Sequence, residues 1–126
     1  MRLALILCPL VLVSCSDRVR DAYVEGQGQA ERDIAKDELK IAFVDGALSD
    51  SDMPIAFWDY TDILRKRYHI GWVVYSLPAN PDAVKAWVRG YNGVAEPKIE
   101  RQVGAQVLKE ALLEAQKVYA ATNSSH

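Results

Sequence analysis

The apolar pattern of this chain predicts a small α/β fold, with a helix-rich α+β arrangement as the alternative, and three observations carry the prediction. Two short apolar runs, Leu39–Val44 and Gly71–Leu77, have the length of strands, and the segment between them has helical periodicity. That crossover is long enough for parallel pairing, so one β-α-β unit is expected, with the right-handed connection such units favour. Beyond Pro78 the spacing of apolar residues is helical to about Ala120, which places C-terminal helices on a short sheet. Half of the 126 residues are hydrophobic and a quarter charged, the balance of a single globular domain.

The first element is a leader, MRLALILCPLVLVSCSD. After Met1-Arg2 the apolar run Leu3–Val13 has the length of a signal-peptide core and falls short of the ~20 residues that span a bilayer. Its boundary, Leu12-Val13-Ser14-Cys15, resembles the lipobox of bacterial lipoproteins: a branched apolar residue, a tolerant position and a small residue before an invariant cysteine. The resemblance implies a diacylglyceryl group on the Cys15 sulfur, cleavage that removes residues 1–14, and acylation of the new amino group. Each buried methylene contributes roughly 0.8 kcal/mol, so two or three acyl chains make anchoring effectively permanent. Serine rather than aspartate at residue 16 resembles lipoproteins released to the outer membrane. The expected location is therefore the periplasm-facing outer membrane, with inner-membrane or cell-surface retention left open. Cys8 fails the same test because bulky Leu7 precedes it. Three other readings exist: ordinary signal-peptidase cleavage after Ser16, an uncleaved anchor that the short run disfavours, and a Cys8–Cys15 disulfide within a removed segment.

Residues 15–37 read as a tether and N-terminal helix. Gly26 and Gly28 each cost a helix about 1 kcal/mol relative to alanine, which suggests a flexible joint at Gly26-Gln27-Gly28 followed by a helix over Gln29–Glu38. No strand precedes these glycines and a third is absent, so they are no dinucleotide loop. The α/β domain follows over 38–121. Its first strand alternates large apolar residues with Lys40 and Ala42, the pattern of a half-buried strand that Asp45-Gly46 ends. Asp52 or a neighbouring Ser/Asp can cap the next helix, with Pro54 in its first turn, and Phe57, Tyr60, Thr61, Leu64 and Tyr68 form its buried stripe, bordered by Ile63. The second strand is apolar on both faces, as in a covered central strand. Asn80-Pro81-Asp82 is the strongest helix start in the chain; Val84, Trp87, Val88 and Tyr91 form its core face and Asn92-Gly93 is a left-handed stop. A short helix over about Pro97–Val103 and a last one over Ala105–Ala120 are expected to meet at Gly104. The last helix should bury Leu108, Ala111, Leu112, Ala115 and Tyr119, and residues 122–126 should form a disordered tail.

The chemical inventory is thin. With a net charge of −2, neither nucleic acid nor anionic lipid is attracted by net charge, so no nucleic-acid partner is expected. HExxH, GxSxG, P-loop and cysteine-based metal motifs are absent, no catalytic residue is assigned, and no metal or cofactor is expected. His69 closes a helix and reads as its C-terminal cap, while His126 ends the tail. Catalysis would have to draw on Asp59, Asp62 and His69, or on Asp45, Asp50 and Asp52, yet Ser49–Asp52 lacks the glycine and terminal glutamate of a calcium loop. The Asn123-Ser124-Ser125 sequon reads as chance. Trp58 is the exception to an otherwise core-directed set of aromatics: at 100° per residue it points away from the buried stripe, towards Ile55, Asp62 and Arg65. An exposed tryptophan beside an arginine suits a binding hot spot, whereas cover by another helix would make it core. Two classes follow. One is a membrane-anchored, non-enzymatic module binding an envelope protein as inhibitor, immunity or exclusion factor, or assembly accessory, with Trp58, Asp62 and Arg65 as contacts. The other is a small envelope hydrolase or ligand-binding protein using the aspartate-rich loop and His69.

Overall fold

The two apolar runs do pair, in parallel, with Lys40 opposite Gly71 through Val44 opposite Tyr75. The computed structural model describes residues 15–45, 55–75 and 80–124, with the backbone alone at 15, 16 and 124. In chain order the elements are α1 (Cys15–Ala35), β1 (Lys40–Val44), α2 (Phe57–Tyr68), β2 (Gly71–Tyr75), α3 (Pro81–Val103) and α4 (Val107–Ser124). The result is a helix-rich fold around a two-stranded sheet. Because side chains alternate along a strand, Ile41 and Phe43 face α2 and α4, where they meet Phe57, Tyr60, Leu64 and Ala111. Ala42 and Val44 face the other way, against Ala30 of α1 and Val84, Trp87 and Tyr91 of α3. Helices therefore cover both faces.

The glycines of α1 overturn the expected joint. The helix runs unbroken from Cys15 to Ala35 and does not reach Glu38. A Cβ on Gly26 would lie 2.1 Å from the Trp87 carbonyl oxygen, and one on Gly90 would lie 2.1 Å from that of Tyr23. Each glycine is the place where the backbone of α1 or α3 touches the other helix, a close approach that no larger residue permits. The chain then leaves α1 through Asp37 in the left-handed region, φ 58°, with Glu38 N–H donating to Asp33 O at 2.9 Å.

α3 also runs further than expected, through Asn92, Gly93 and Pro97 to Val103. Asn92 stops nothing: its side chain accepts from Ala42 N–H at 2.8 Å and donates to Ala42 C=O at 2.9 Å. One carboxamide thus takes the place of a neighbouring strand's peptide at the outer edge of β1. Pro97 lacks an N–H and crowds the carbonyl one turn back, but buried Ala95 and Ile99 on either side hold the helix together. The expected cap at Asn80 is present, its side chain accepting from Asp82 N–H at 2.9 Å.

Other expectations change as well. α2 starts at Phe57, with Ala56 in the cap position and no side-chain cap bond; Asp52 and Pro54 lie outside the described residues. β1, expected half-buried, is buried from Ile41 to Val44, whereas β2, expected as a covered central strand, is half-buried and lies at an edge. The reason is that small Ala42 lets α3 close over β1, while nothing among the described residues pairs with the far side of β2. Finally, Thr122 and Asn123 are not a disordered tail but the last turn of α4, their side chains bonding Val118 O and Tyr119 O; residues 125–126 lie outside the described residues. Tyr119, expected in the core, is 38% exposed because α4 extends past it.

Candidate functional site

The buried stripe of α2 fixes what its other face presents. With Phe57, Tyr60, Thr61 and Leu64 turned inward, Trp58, Asp62 and Arg65 at i, i+4 and i+7 share the outer face. Trp58 is 71% exposed, and Ile55, three residues earlier, is 79% exposed. The Trp58 ring is held rather than loose. It meets Phe57 edge-on at 4.9 Å between centroids and Trp72 of β2 at 5.8 Å, and Phe57 meets Trp72 at 5.3 Å. Phe57 itself is core and touches Phe43 at 5.0 Å, so the aromatic cluster is continuous from the sheet to the surface.

Polar groups fix the rest of the face. Asp62 bonds Arg65 at 3.0 Å and Lys66 at 2.9 Å, and these two partners, Lys66 first, hold its carboxyl below the ordinary carboxylate range. Exposed ion pairs of this kind add little stability; their effect is to set the guanidinium beside the indole. Thr61 bonds back to Phe57 O at 3.0 Å and so adds no unmet polar group. Trp58, Thr61, Asp62, Arg65 and Trp72 line a cleft of about 230 Å³.

Trp72 was not among the residues expected to form this face. Alternation shows which face a strand residue points to, but not whether its strand is an edge.

A second aromatic cleft, of about 300 Å³, lies on the opposite face of β2 and was not anticipated either. Tyr75 stacks on Trp87 at 4.1 Å with the planes 6° apart, and Trp87 lies 5.3 Å from Tyr91. Behind them Asp33, 6% exposed, accepts from Tyr91 OH at 2.6 Å and Gln29 Nε2 at 3.0 Å, with Lys40 Nζ 3.9 Å away. Burial, and then the Asp33 bond, push the Tyr91 phenol above its ordinary value. Lys40 is raised by its bond to Glu38, against burial. Glu25 stands at the mouth of the cleft. Burial raises the Tyr75 phenol, and the Glu25 charge raises it further.

Among the described residues, those of the catalytic alternative are not brought to one place. His69 is the left-handed cap of α2, φ 58°, its N–H donating to Arg65 O at 3.1 Å. It precedes β2, whereas Asp45 follows β1; because the strands are parallel, the two lie at opposite ends of the sheet, roughly 17 Å apart by strand rise. Asp62 is engaged by Arg65 and Lys66, and Asp59 sits in the first turn of α2. Asp50 and Asp52 lie outside the described residues. Among those described, no group of three or more His, Cys, Asp or Glu is placed to hold a metal, and no helix is long and apolar enough to cross a membrane.

A further cleft, of about 400 Å³, follows the outer edge of β1, between Lys85 and Arg89 at one end and Glu96 at the other, with Asn92 seated in it. Tyr60 borders it, its phenol pushed up to about 12 by burial and then by Glu96. No protein-family model, no curated protein and no solved structure matches this chain.

Proposed function

We propose that the protein is a lipid-anchored envelope module, held at the outer membrane through Cys15, that binds another protein through the Trp58–Trp72 face and catalyses no reaction. The observation that carries this reading is the exposure of Trp58: a large indole, 71% exposed, is fixed edge-on against Phe57 and Trp72 beside the Asp62–Arg65 pair. A rigid aromatic beside an arginine has the composition of a binding hot spot and loses little side-chain freedom on association.

The test separates binding from stability. Trp58→Ala removes a mostly exposed ring with two edge contacts, so unfolding free energy should fall by no more than about 1 kcal/mol. A core tryptophan would cost roughly 3–5 kcal/mol. Capture of a specific protein from its own envelope by the acylated protein should weaken about 30-fold in the variant, the equivalent of ~2 kcal/mol. Unchanged capture by a stable Trp58→Ala protein removes this face from function. Loss of activity on replacing His69, with Trp58 dispensable, would favour the hydrolase or ligand-binding class. For the anchor, Cys15→Ser should leave an unprocessed precursor that takes up no labelled fatty acid. A soluble product beginning at Asp17 would refute lipidation.

A further inference from the structure

Among the described residues, the hydrogen-bond pattern of the sheet leaves the edge of β1 occupied at its centre, at Ala42, and the edge of β2 open. Gly71 N–H donates to Leu39 O and Asp45 N–H to Tyr75 O, so with the observed register the backbone groups of Gly71, Val73 and Tyr75 point at β1. Those of Trp72 and Val74 therefore point outward. On the far side of β1 the outward groups of Ala42 are taken by Asn92. No described residue takes those of Trp72 and Val74. An open strand edge is a template for another strand.

The two aromatic clefts flank this edge on opposite faces. Trp72 and Val74 lie on the α2 side, with Trp58; Val73 and Tyr75 lie on the α1–α3 side, with Trp87. Strand addition gains affinity from main-chain bonds and specificity from sites for alternating side chains, and both elements are present here. Trp72 and Tyr75 are three residues apart, roughly 10 Å along the strand, on opposite faces. Side chains at i and i+3 of an incoming strand are spaced and faced in the same way.

Charge decides what each side chain is. In the Tyr75 cleft Asp33 and Lys40 are already engaged with each other and with Tyr91, Gln29 and Glu38. Glu25 has no ion-pair partner among the described residues. A cation entering there meets this carboxylate and the faces of stacked aromatic rings. In the Trp58 cleft Asp62 is shared between Arg65 and Lys66, which leaves a net positive charge that disfavours a cation there, and the wall is indole.

We propose that the partner binds as an added strand: an extended segment lies along the outer edge of β2, placing an aromatic side chain in the cleft against Trp58 and Trp72 and, three residues away, a lysine or arginine beside Glu25 and Tyr75. This rests on the protein-binding reading above and gives it a partner chemistry.

The test uses the full-length protein and capped peptides of about eight residues, rich in valine and threonine, carrying Trp and Lys at i and i+3. Binding should slow hydrogen exchange at the Trp72 and Val74 amides. Moving Lys to i+2, on the same face as Trp, should weaken binding at least about tenfold, and Glu25→Gln should abolish the preference for Lys over norleucine. Val74→Pro removes an outward N–H and leaves the ladder to β1 intact, as proline at an edge allows, so it should abolish binding without unfolding the protein. N-methylation of alternate peptide amides asks the same question with the native protein and should block binding in one of its two registers only. Equal binding by the i+2 peptide, equal binding by both N-methylated registers, or no protection at Trp72 and Val74 overturns the proposal. So does a homodimer dissolved by Val74→Pro, which makes a second copy the occupant. Envelope capture that needs Trp58 but tolerates Val74→Pro sinks strand addition and leaves the protein-binding reading standing. Capture indifferent to Trp58 sinks both.

Discussion

Gly26 and Gly28 lie two residues apart in one helix, and replacing each with alanine should move stability in opposite directions. In a helix open to solvent either change would stabilise by about 1 kcal/mol, because glycine loses more backbone freedom on folding. At Gly28 the only close neighbour of a new Cβ among the described residues is the tip of the Arg32 side chain, 3.3 Å away, which can move. Gly28→Ala should therefore gain up to about 1 kcal/mol and raise the thermal midpoint by roughly 4 °C. At Gly26 the Cβ would lie 2.1 Å from Trp87 O, 2.9 Å from Trp87 C and 3.0 Å from Tyr91 N, all backbone atoms of α3. Neither helix can yield locally, so the two must separate. Overpacking of this kind costs about 1–3 kcal/mol, and here the upper end applies because a gap of 0.5–1 Å forfeits a quarter to a half of each dispersion contact along the seam. After the helix-propensity gain, Gly26→Ala should lose about 2 kcal/mol and lower the midpoint by roughly 8 °C. Gly90→Ala should behave alike, and the double variant should lose less than the sum, since one separation relieves both clashes. Urea titration followed by circular dichroism reads all four proteins. If Gly26→Ala is as stable as Gly28→Ala, α1 does not rest on α3 at that point and a flexible joint is the better description.

Asn92→Ala strands both outward groups of Ala42 and should lose about 2–4 kcal/mol by urea titration. Asn92→Asp keeps the acceptor but turns a second oxygen toward Ala42 C=O, so its stability should improve as pH falls and the new carboxyl gains a proton able to donate. Tyr91→Phe removes the 2.6 Å bond to Asp33 and should lose about 1.5–3 kcal/mol, with the Gln29 bond and Lys40 left to hold the carboxylate. At alkaline pH the sign follows from Tyr60 and Tyr91, whose phenols are raised in the folded state, Tyr60 to about 12. Their contribution is full below pH ~10, where unfolded tyrosine titrates, and is lost as pH rises through the folded values. For Tyr60 that loss is about 2–3 kcal/mol, and tyrosinate absorbance followed alongside unfolding should show these phenols ionising last; simple titration near pH 10 would contradict the burial.

The parts legible in the sequence are those that neighbours along the chain decide. The stripe Phe57, Tyr60, Thr61, Leu64, the cap at Asn80 and the left-handed His69 depend on residues within a turn or two, and the structure places them as expected. The outward face of Trp58, Asp62 and Arg65 follows from the same periodicity. What failed was decided across the fold. Gly26 looks like a joint until Trp87 is seen beneath it, and Asn92-Gly93 looks like a stop until Ala42 is seen to need a partner. The relative burial of β1 and β2 was inverted because apolar content measures a strand's appetite for cover, not the cover it receives. Glu25 and Tyr75 were missed for that reason: 50 residues of chain separate them, and only the seating of α1 over the sheet brings them to one cleft.

That seating has a mechanical consequence if Cys15 carries lipid. α1 is helical from Cys15 itself and is locked to α3 at Gly26, so the described residues offer no swivel between anchor and domain. A helix of 21 residues is a strut of about 30 Å, and a domain bolted to such a strut cannot sweep a hemisphere as a domain on a floppy leash does. The open edge of β2 would then keep a set distance from the anchored cysteine, with pivoting confined to the bonds of the lipid linkage, which narrows its range of heights and bearings relative to the bilayer. A partner rooted in the same membrane could dock only if its own extended segment arrived within that range, whereas a freely diffusing periplasmic protein would face no such restriction. Inserting a run of glycine and serine between Ser16 and Asp17 would free the bearing, and only a membrane-rooted partner should notice.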